Sequence, residues 1–111
     1  MTKKEEKKEN RKLIYVCAPF RAKTACEIEK NIERACKYAK SVWAEGYMPI
    51  VPHINSRGVF GLYGDNEEVT EFDMQLLAKC DFIRICGKHI SNGMQEEINL
   101  CKRHKIPIEY V

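Results

Sequence analysis

The chain is 111 residues long, which fits one domain with a core of its own. Its net charge is +3, and residues 1–12 carry all of that excess, with six Lys or Arg against three Glu; residues 13–111 balance, so the body of the chain has no basic field to grip a nucleic-acid backbone. The six cysteines form no C-x-x-C pair and join no histidine cluster, and no apolar run nears the ~20 residues of a membrane helix, so a disulfide framework, a metal site and a membrane span are not expected.

Residues 1–11 read as a disordered, mixed-charge tail. They hold no apolar segment of a secretory signal, and the expected location is the cytoplasm. "LIYVCAPF" (13–20) is a continuous β-branched and aromatic run, the pattern of a strand buried on both faces. Tyr15 stands in it as a core tyrosine with a hydroxyl to satisfy, and Arg21 follows in the next loop. Thr24 and Glu27 spell a capping box. Behind them Ile28, Ile32, Ala35, Cys36, Ala39, Val42 and Trp43 recur at helical spacing, with Gly46 as the C-terminal cap.

"YMPIVPH" (47–53) predicts a second strand, and its two prolines put it at a sheet edge, with His53 at its end. Residues 54–68 hold three glycines and no periodicity, so a loop is expected there. Val59, Phe60, Leu62 and Tyr63 are too apolar for a solvated loop and must cover a ligand, as a lid would, a neighbouring subunit or the domain's own core.

A second helix is expected over 69–80, with Val69, Phe72, Leu76, Leu77 and Cys80 facing the core. Asp73 projects into that apolar arc, where a carboxylate is costly unless paired or hydrogen-bonded. A third strand follows at 81–87, opened by Asp81 and interrupted by Arg84. Ser91 or Asn92 caps a third helix running to about Lys105. Its apolar face is Met94, Ile98 and Cys101. Glu96 projects away from that face, while Glu97 lies about 65° from its centre at 100° per residue. That border position suits an inward carboxylate or a surface salt bridge. "IPIEYV" is a last strand.

Strands alternating with helices predict an α/β domain over residues 12–111 with a parallel sheet and right-handed crossovers. Ligands in such sheets bind beyond the carboxyl ends of the strands, here at loops 18–24, 53–68 and 87–92. No G-x-G-x-x-G follows the first strand and no G-x-x-x-x-G-K-[ST] occurs, so dinucleotide redox chemistry and ATP hydrolysis lack their signatures.

Five blocks in order, "YVCAPFR", "NIERACKYAKSVWAEGYMPIVPH", "DMQLLAKCD", "SNGMQEEI" and "KIPI", resemble the nucleoside 2-deoxyribosyltransferase superfamily over about residues 12–111. The resemblance includes the branch that hydrolyses 2′-deoxynucleoside 5′-phosphates. It implies a Rossmann- or flavodoxin-like three-layer domain with a four-stranded parallel sheet and about three main helices. It also implies cleavage or transfer at an N-glycosidic bond. In that scheme Glu97 attacks C1′, Tyr15 holds the glutamate, and Asp73 contacts or protonates the base. Arg21 and Ser91 match the positions that take a 5′-phosphate, and the amides of the helix start suit one as well. Gly93, Met94, His53 and Asp81 are further candidates for substrate contact, although a structural hydrogen-bonding role suits His53 and Asp81 better. No cofactor and no metal are implied. The expected partners are a small-molecule nucleoside or nucleotide and further copies of the chain. The alternatives are a non-catalytic module binding a nucleotide or an ADP-ribose-like ligand, and a purely structural homo-oligomer.

Overall fold

A computed structural model describes residues 10–61 and 66–111. The tail expected over residues 1–11 lies almost wholly outside the described residues, as do Leu62, Tyr63 and Gly64. In chain order the elements are β1 (Leu13–Cys17), α1 (Ala25–Ala44), β2 (Met48–Ile50), α2 (Pro52–Phe60), α3 (Asn66–Ala78), β3 (Phe82–Ile85), α4 (Asn92–Arg103) and β4 (Ile108–Tyr110). The four strands form one parallel sheet in the order β2-β1-β3-β4, the order of flavodoxin-like sheets. The chain leaves β1 toward β2 on one side and continues to β3 on the other. The switch point therefore lies at the carboxyl ends of β1 and β3.

Strand alternation sorts the core into two layers. Ile14, Val16 and Ala18 face one side and meet Ala35, Ala39 and Val42 of α1. Tyr15 and Cys17 face the other, against Leu77 of α3 and Met94, Ile98 and Cys101 of α4. Each large aliphatic side chain buried this way contributes roughly 1.5–3 kcal/mol. The ends of α1 are set by sequence. Thr24 accepts a bond from the Glu27 amide at 3.2 Å, and Gly46 takes φ +98° just beyond the C-cap, where a side chain would be strained. Arg11 clamps the same end, donating to the Trp43 and Tyr47 carbonyls with its guanidinium 3.6 Å over the Trp43 ring.

The structure corrects the expected loop at 54–68. Residues 52–60 are helical, and α3 begins at Asn66 rather than at 69, so the main helices number four and not three. Pro52 explains the difference. It stands at the first turn of α2, where its missing N–H would have had no partner and its fixed φ suits a helix. Prolines that argued for an extended edge therefore divide their work: Pro49 lies in β2, which is an edge strand as expected, and Pro52 starts a helix. Gly61, at φ +78°, ends α2. Residues 54–60 are thus part of a regular helix that packs on α3, with Phe60 edge-on to Phe72 at 5.4 Å.

Arg84, unexplained in the sequence, has a structural account. Its side chain lies on the α1 side of β3, and the residue is 5% exposed. It reaches Glu45 at the end of α1 through two bonds of 2.6 and 3.2 Å and Glu109, its register partner on β4, at 2.6 Å. The two carboxylates cover the guanidinium where α1 does not extend, and Arg84 holds Glu45 below the usual carboxylate range. Stripping both partners with Glu45→Ala and Glu109→Ala should cost about 2 kcal/mol, because a buried cation is left unpaired and only water near the edge can compensate. Arg84→Met, which removes the charge and keeps the stem's packing, should cost less than half of that. Urea denaturation of the two variants checks the ranking.

Candidate functional site

A cavity of about 780 Å³ opens at the switch point. Four segments build it. Ala18, Phe20 and Arg21 come from the loop after β1, Pro52 and His53 from the first turn of α2, and Ser91 to Met94 with Glu96 and Glu97 from the start of α4. The fourth wall is α3, from Glu67 to Met74, and it includes Asp73.

At the floor of this cavity the inward glutamate meets the first strand. Glu97 is half-buried, and its Oε2 accepts a short hydrogen bond from the Tyr15 hydroxyl. Its Oε1 accepts from the Cys17 thiol at 3.4 Å. Both donors are fully buried and come from alternate positions of one strand, so they present to the same face. Glu96 is exposed and touches only the cavity's rim. The two neighbouring glutamates occupy different environments, as their helical projection predicts.

Electrostatics single out a pair. Burial pushes the Glu97 carboxyl up to about 7, against the bonds from Tyr15 and Cys17, and the charges of Asp73 and Glu96 push the same way as burial. Burial also raises Asp73 to about 7, while the Ser56 hydroxyl and the Arg21 guanidinium pull it down. Asp73 Oδ1 is buried without a hydrogen-bond partner. Two interacting carboxyls with similar raised values hold about one proton between them near neutral pH. Near neutral pH each of the two carboxyls therefore stands close to the balance between its charged and neutral forms. Tyr15 is pushed well above its ordinary value by burial and by Glu97, so it stays a donor.

The remaining expected residues divide. Ser91 is the N-cap of α4, accepting from the Met94 amide at 3.3 Å, and its own amide donates to the Met94 sulfur at 3.5 Å. Gly93 lies in the first turn, and Met94 is buried between core and cavity. Arg21 is exposed at the cavity wall. His53 lines the cavity but spends Nε2 on the Pro19 carbonyl at 2.9 Å and packs edge-on to Phe20. Burial depresses its value, so it is a neutral donor that fixes the loop carrying Arg21. It is not the end of a strand, as its sequence position suggested. Asp81 is corrected outright. It precedes β3 at the opposite end of the sheet and accepts from the Leu13 amide at 2.7 Å, so it cannot contact a ligand in this cavity.

Three contributors were not singled out from sequence. Cys17 reads there as a small hydrophobe, though its place two residues after Tyr15 was a usable signal. Ser56 is buried in α2, and that helix was not expected. Asn31 holds the Phe20 carbonyl at 2.9 Å from α1 and steadies the loop after β1. Among the described residues, no group of His, Cys, Asp and Glu could hold a metal ion, and no helix is long and apolar enough to cross a membrane.

The raised carboxyl values carry a stability consequence. Folded Glu97 binds a proton up to about 7 and an ordinary glutamate only to about 4.5, so the native state binds more protons in that window. Stability should fall as pH rises from about 4.5 to about 7 and then level. Glu97→Gln removes the penalty. At pH 8 it should melt about 5 °C above the parent, equivalent to some 1 kcal/mol in a domain this size, and the gap should close by pH 4.5. Thermal melts across that range decide it.

Comparison with known proteins places these features in a family. Residues 12–111 match the family model described as Domain of unknown function (DUF7768). No curated protein matches the chain. Among solved structures, it is similar to a 2-deoxyribosyltransferase from the psychrotolerant bacterium Bacillus psychrosaccharolyticus, a biocatalyst for nucleoside synthesis. The match has a TM-score of 0.67 at 16% identity and covers 88% of this chain and 70% of that one, a likeness of fold. The chain belongs to the DUF7768 family, and its α/β fold is that of a nucleoside 2-deoxyribosyltransferase.

Proposed function

We propose that the protein cleaves or transfers at the N-glycosidic bond of a 2′-deoxynucleoside, with Glu97 as nucleophile. The observation that carries this reading is the cavity-facing Glu97 carboxylate, held by Tyr15, beside a second carboxyl with a raised value. Departure of a base leaves positive charge at C1′, which a carboxylate can capture as a covalent ester. In balance, one Glu97 oxygen bonds C1′, the C1′–N bond breaks, and its electron pair leaves with the base. Asp73 supplies the proton that neutralises that base. Water, or a second base, then bonds C1′ as the C1′–O bond to Glu97 breaks, and its proton returns to the Asp73 carboxylate. The nucleoside chemistry of the structural relative supports the same reading by analogy of fold.

A 5′-phosphate on the substrate would meet Arg21, the Ser91 hydroxyl and the free amides at the start of α4. Glu67, Glu71 and Glu96 line the same cavity, exposed and screened by water. Anion binding there is local to Arg21 and the helix start. A module built only to hold an anion gains nothing from the inward pair Asp73 and Glu97, which favours catalysis over the binding-only alternative.

Incubation with a panel of deoxynucleosides and their monophosphates, followed by chromatography for free base, tests the reading. Glu97→Ala should lose at least about 10³-fold in rate, as loss of a covalent nucleophile does, while Glu96→Ala should stay within about threefold. Equal losses would reverse the assignment. The rate should follow a bell in pH centred near 7, falling in acid as the nucleophile protonates and in alkali as Asp73 loses its proton. Arg21→Ala should weaken a monophosphate by about tenfold, the value of one charge-assisted contact, and leave the nucleoside unchanged. Should the nucleoside suffer equally, Arg21 is not a phosphate contact.

A further inference from the structure

The Glu97 carboxylate has two oxygens, and each is taken by a different donor of the same strand. Tyr15 takes Oε2, and Cys17 lies 3.4 Å from Oε1. The spacing is a property of β1. Residues two apart point to one face, so the two donors bracket a carboxyl that descends onto that face from α4. Cys17 is fully buried, in the layer that also holds Tyr15, Leu77, Met94, Ile98 and Cys101.

We propose that Cys17 is a positioning residue for Glu97: its S–H donates to Oε1, opposite the tyrosine, and fixes the rotation of the carboxylate. The proposal rests on the reading of Glu97 as the nucleophile. Burial and the adjacent carboxylate push the thiol far up, so it keeps its proton and remains a donor at every pH of interest. A carboxylate anchored through one oxygen can still turn about its terminal bond. One anchored through both presents its remaining lone pairs in a single direction, and a fixed direction is what a near-attack geometry requires. A thiol is also a weak donor. It orients the carboxylate while withdrawing little of its basicity, where a hydroxyl would withdraw more.

The groups that face the Glu97 carboxyl are Tyr15 and Cys17 from β1, Asp73 from α3, and Glu96 and Cys101 on its own helix. Of these, Tyr15 and Cys17 donate to it and the others do not. Removing one donor must therefore move the Glu97 titration upward, and strengthening it must move the titration downward.

The experiment is a carbon-13 carboxyl titration by NMR of the full chain, with the Glu97 signal assigned by its loss in Glu97→Gln. Cys17→Ala should raise the midpoint by about 0.5 pH unit or more, the scale of one weak donor to a charged acceptor. Cys17→Ser should lower it below the parent. An unmoved midpoint in Cys17→Ala, or a serine variant that follows alanine, overturns the proposal. If Cys17→Ala fails to fold, Cys17→Ser keeps the volume and decides alone, since an unmoved or raised midpoint there is equally fatal. In the base-release assay, Cys17→Ala should lower kcat about tenfold at pH 8 with KM within twofold, and Cys17→Ser should recover most of it. Should the parent release no base from any nucleoside, the functional reading falls, and the NMR series still judges the Cys17 contact by itself.

Discussion

The bond between the Tyr15 hydroxyl and the Glu97 carboxylate joins the central strand to the last helix, and the site is arranged around it. It exists because a β-strand buried on both faces carries one tyrosine among aliphatic residues, and because α4 turns a border glutamate toward that strand. Burying a carboxylate is unfavourable, and the donors on β1 offset only part of the cost. The remainder appears as a raised proton affinity, and burial raises that of Asp73 in the same cavity. Two carboxyls whose proton affinities lie near neutral pH are what the proposed base and acid roles require.

Support for this pair comes from hydrogen bonds away from the two carboxyls. His53 and Asn31 hold the carbonyls of Pro19 and Phe20, so the loop after β1 leaves the sheet in one direction. Ser91 caps α4 and keeps its first turn intact, which holds the phase of the helix and with it the direction of Glu97. A one-residue slip of that phase would exchange Glu97 for Glu96 or Ile98 at the strand. Arg84 performs a similar service at the other side of the sheet, tying the end of α1 to β4.

Much of this was legible in the sequence where periodicity was long. The parallel α/β order, the contrast between Glu96 and Glu97, and the inward turn of Asp73 follow from 2-residue and 100° repeats, and the edge placement of β2 from its prolines. What escaped depended on local chemistry with two meanings. Proline before His53 read as extended chain because its role at a helix start depends on the residues after it, and α2, nine residues long with Gly58 inside it, is too short to announce itself. Asp81 stood open between an amide contact and a ligand contact because its residue type suits both, and the structure shows it bonding the Leu13 amide at the end of the sheet away from the cavity. Arg84 was opaque because its partners lie on α1 and β4, far away in the chain.

The two core layers differ in what rests on them. Tyr15, Cys17 and Met94 belong to the layer under α3 and α4 and also hold or line the reactive centre. In the layer under α1, Ala18 alone of the buried cluster reaches the cavity. Sequence change in this domain is therefore unequally constrained. Ala35, Ala39 and Val42 can be exchanged for other apolar residues of matching volume as one set, so an engineer has a place to add thermal tolerance. On the opposite layer, a substitution that improves packing also shifts the strand that grips the glutamate, and stability and chemistry have to be selected together.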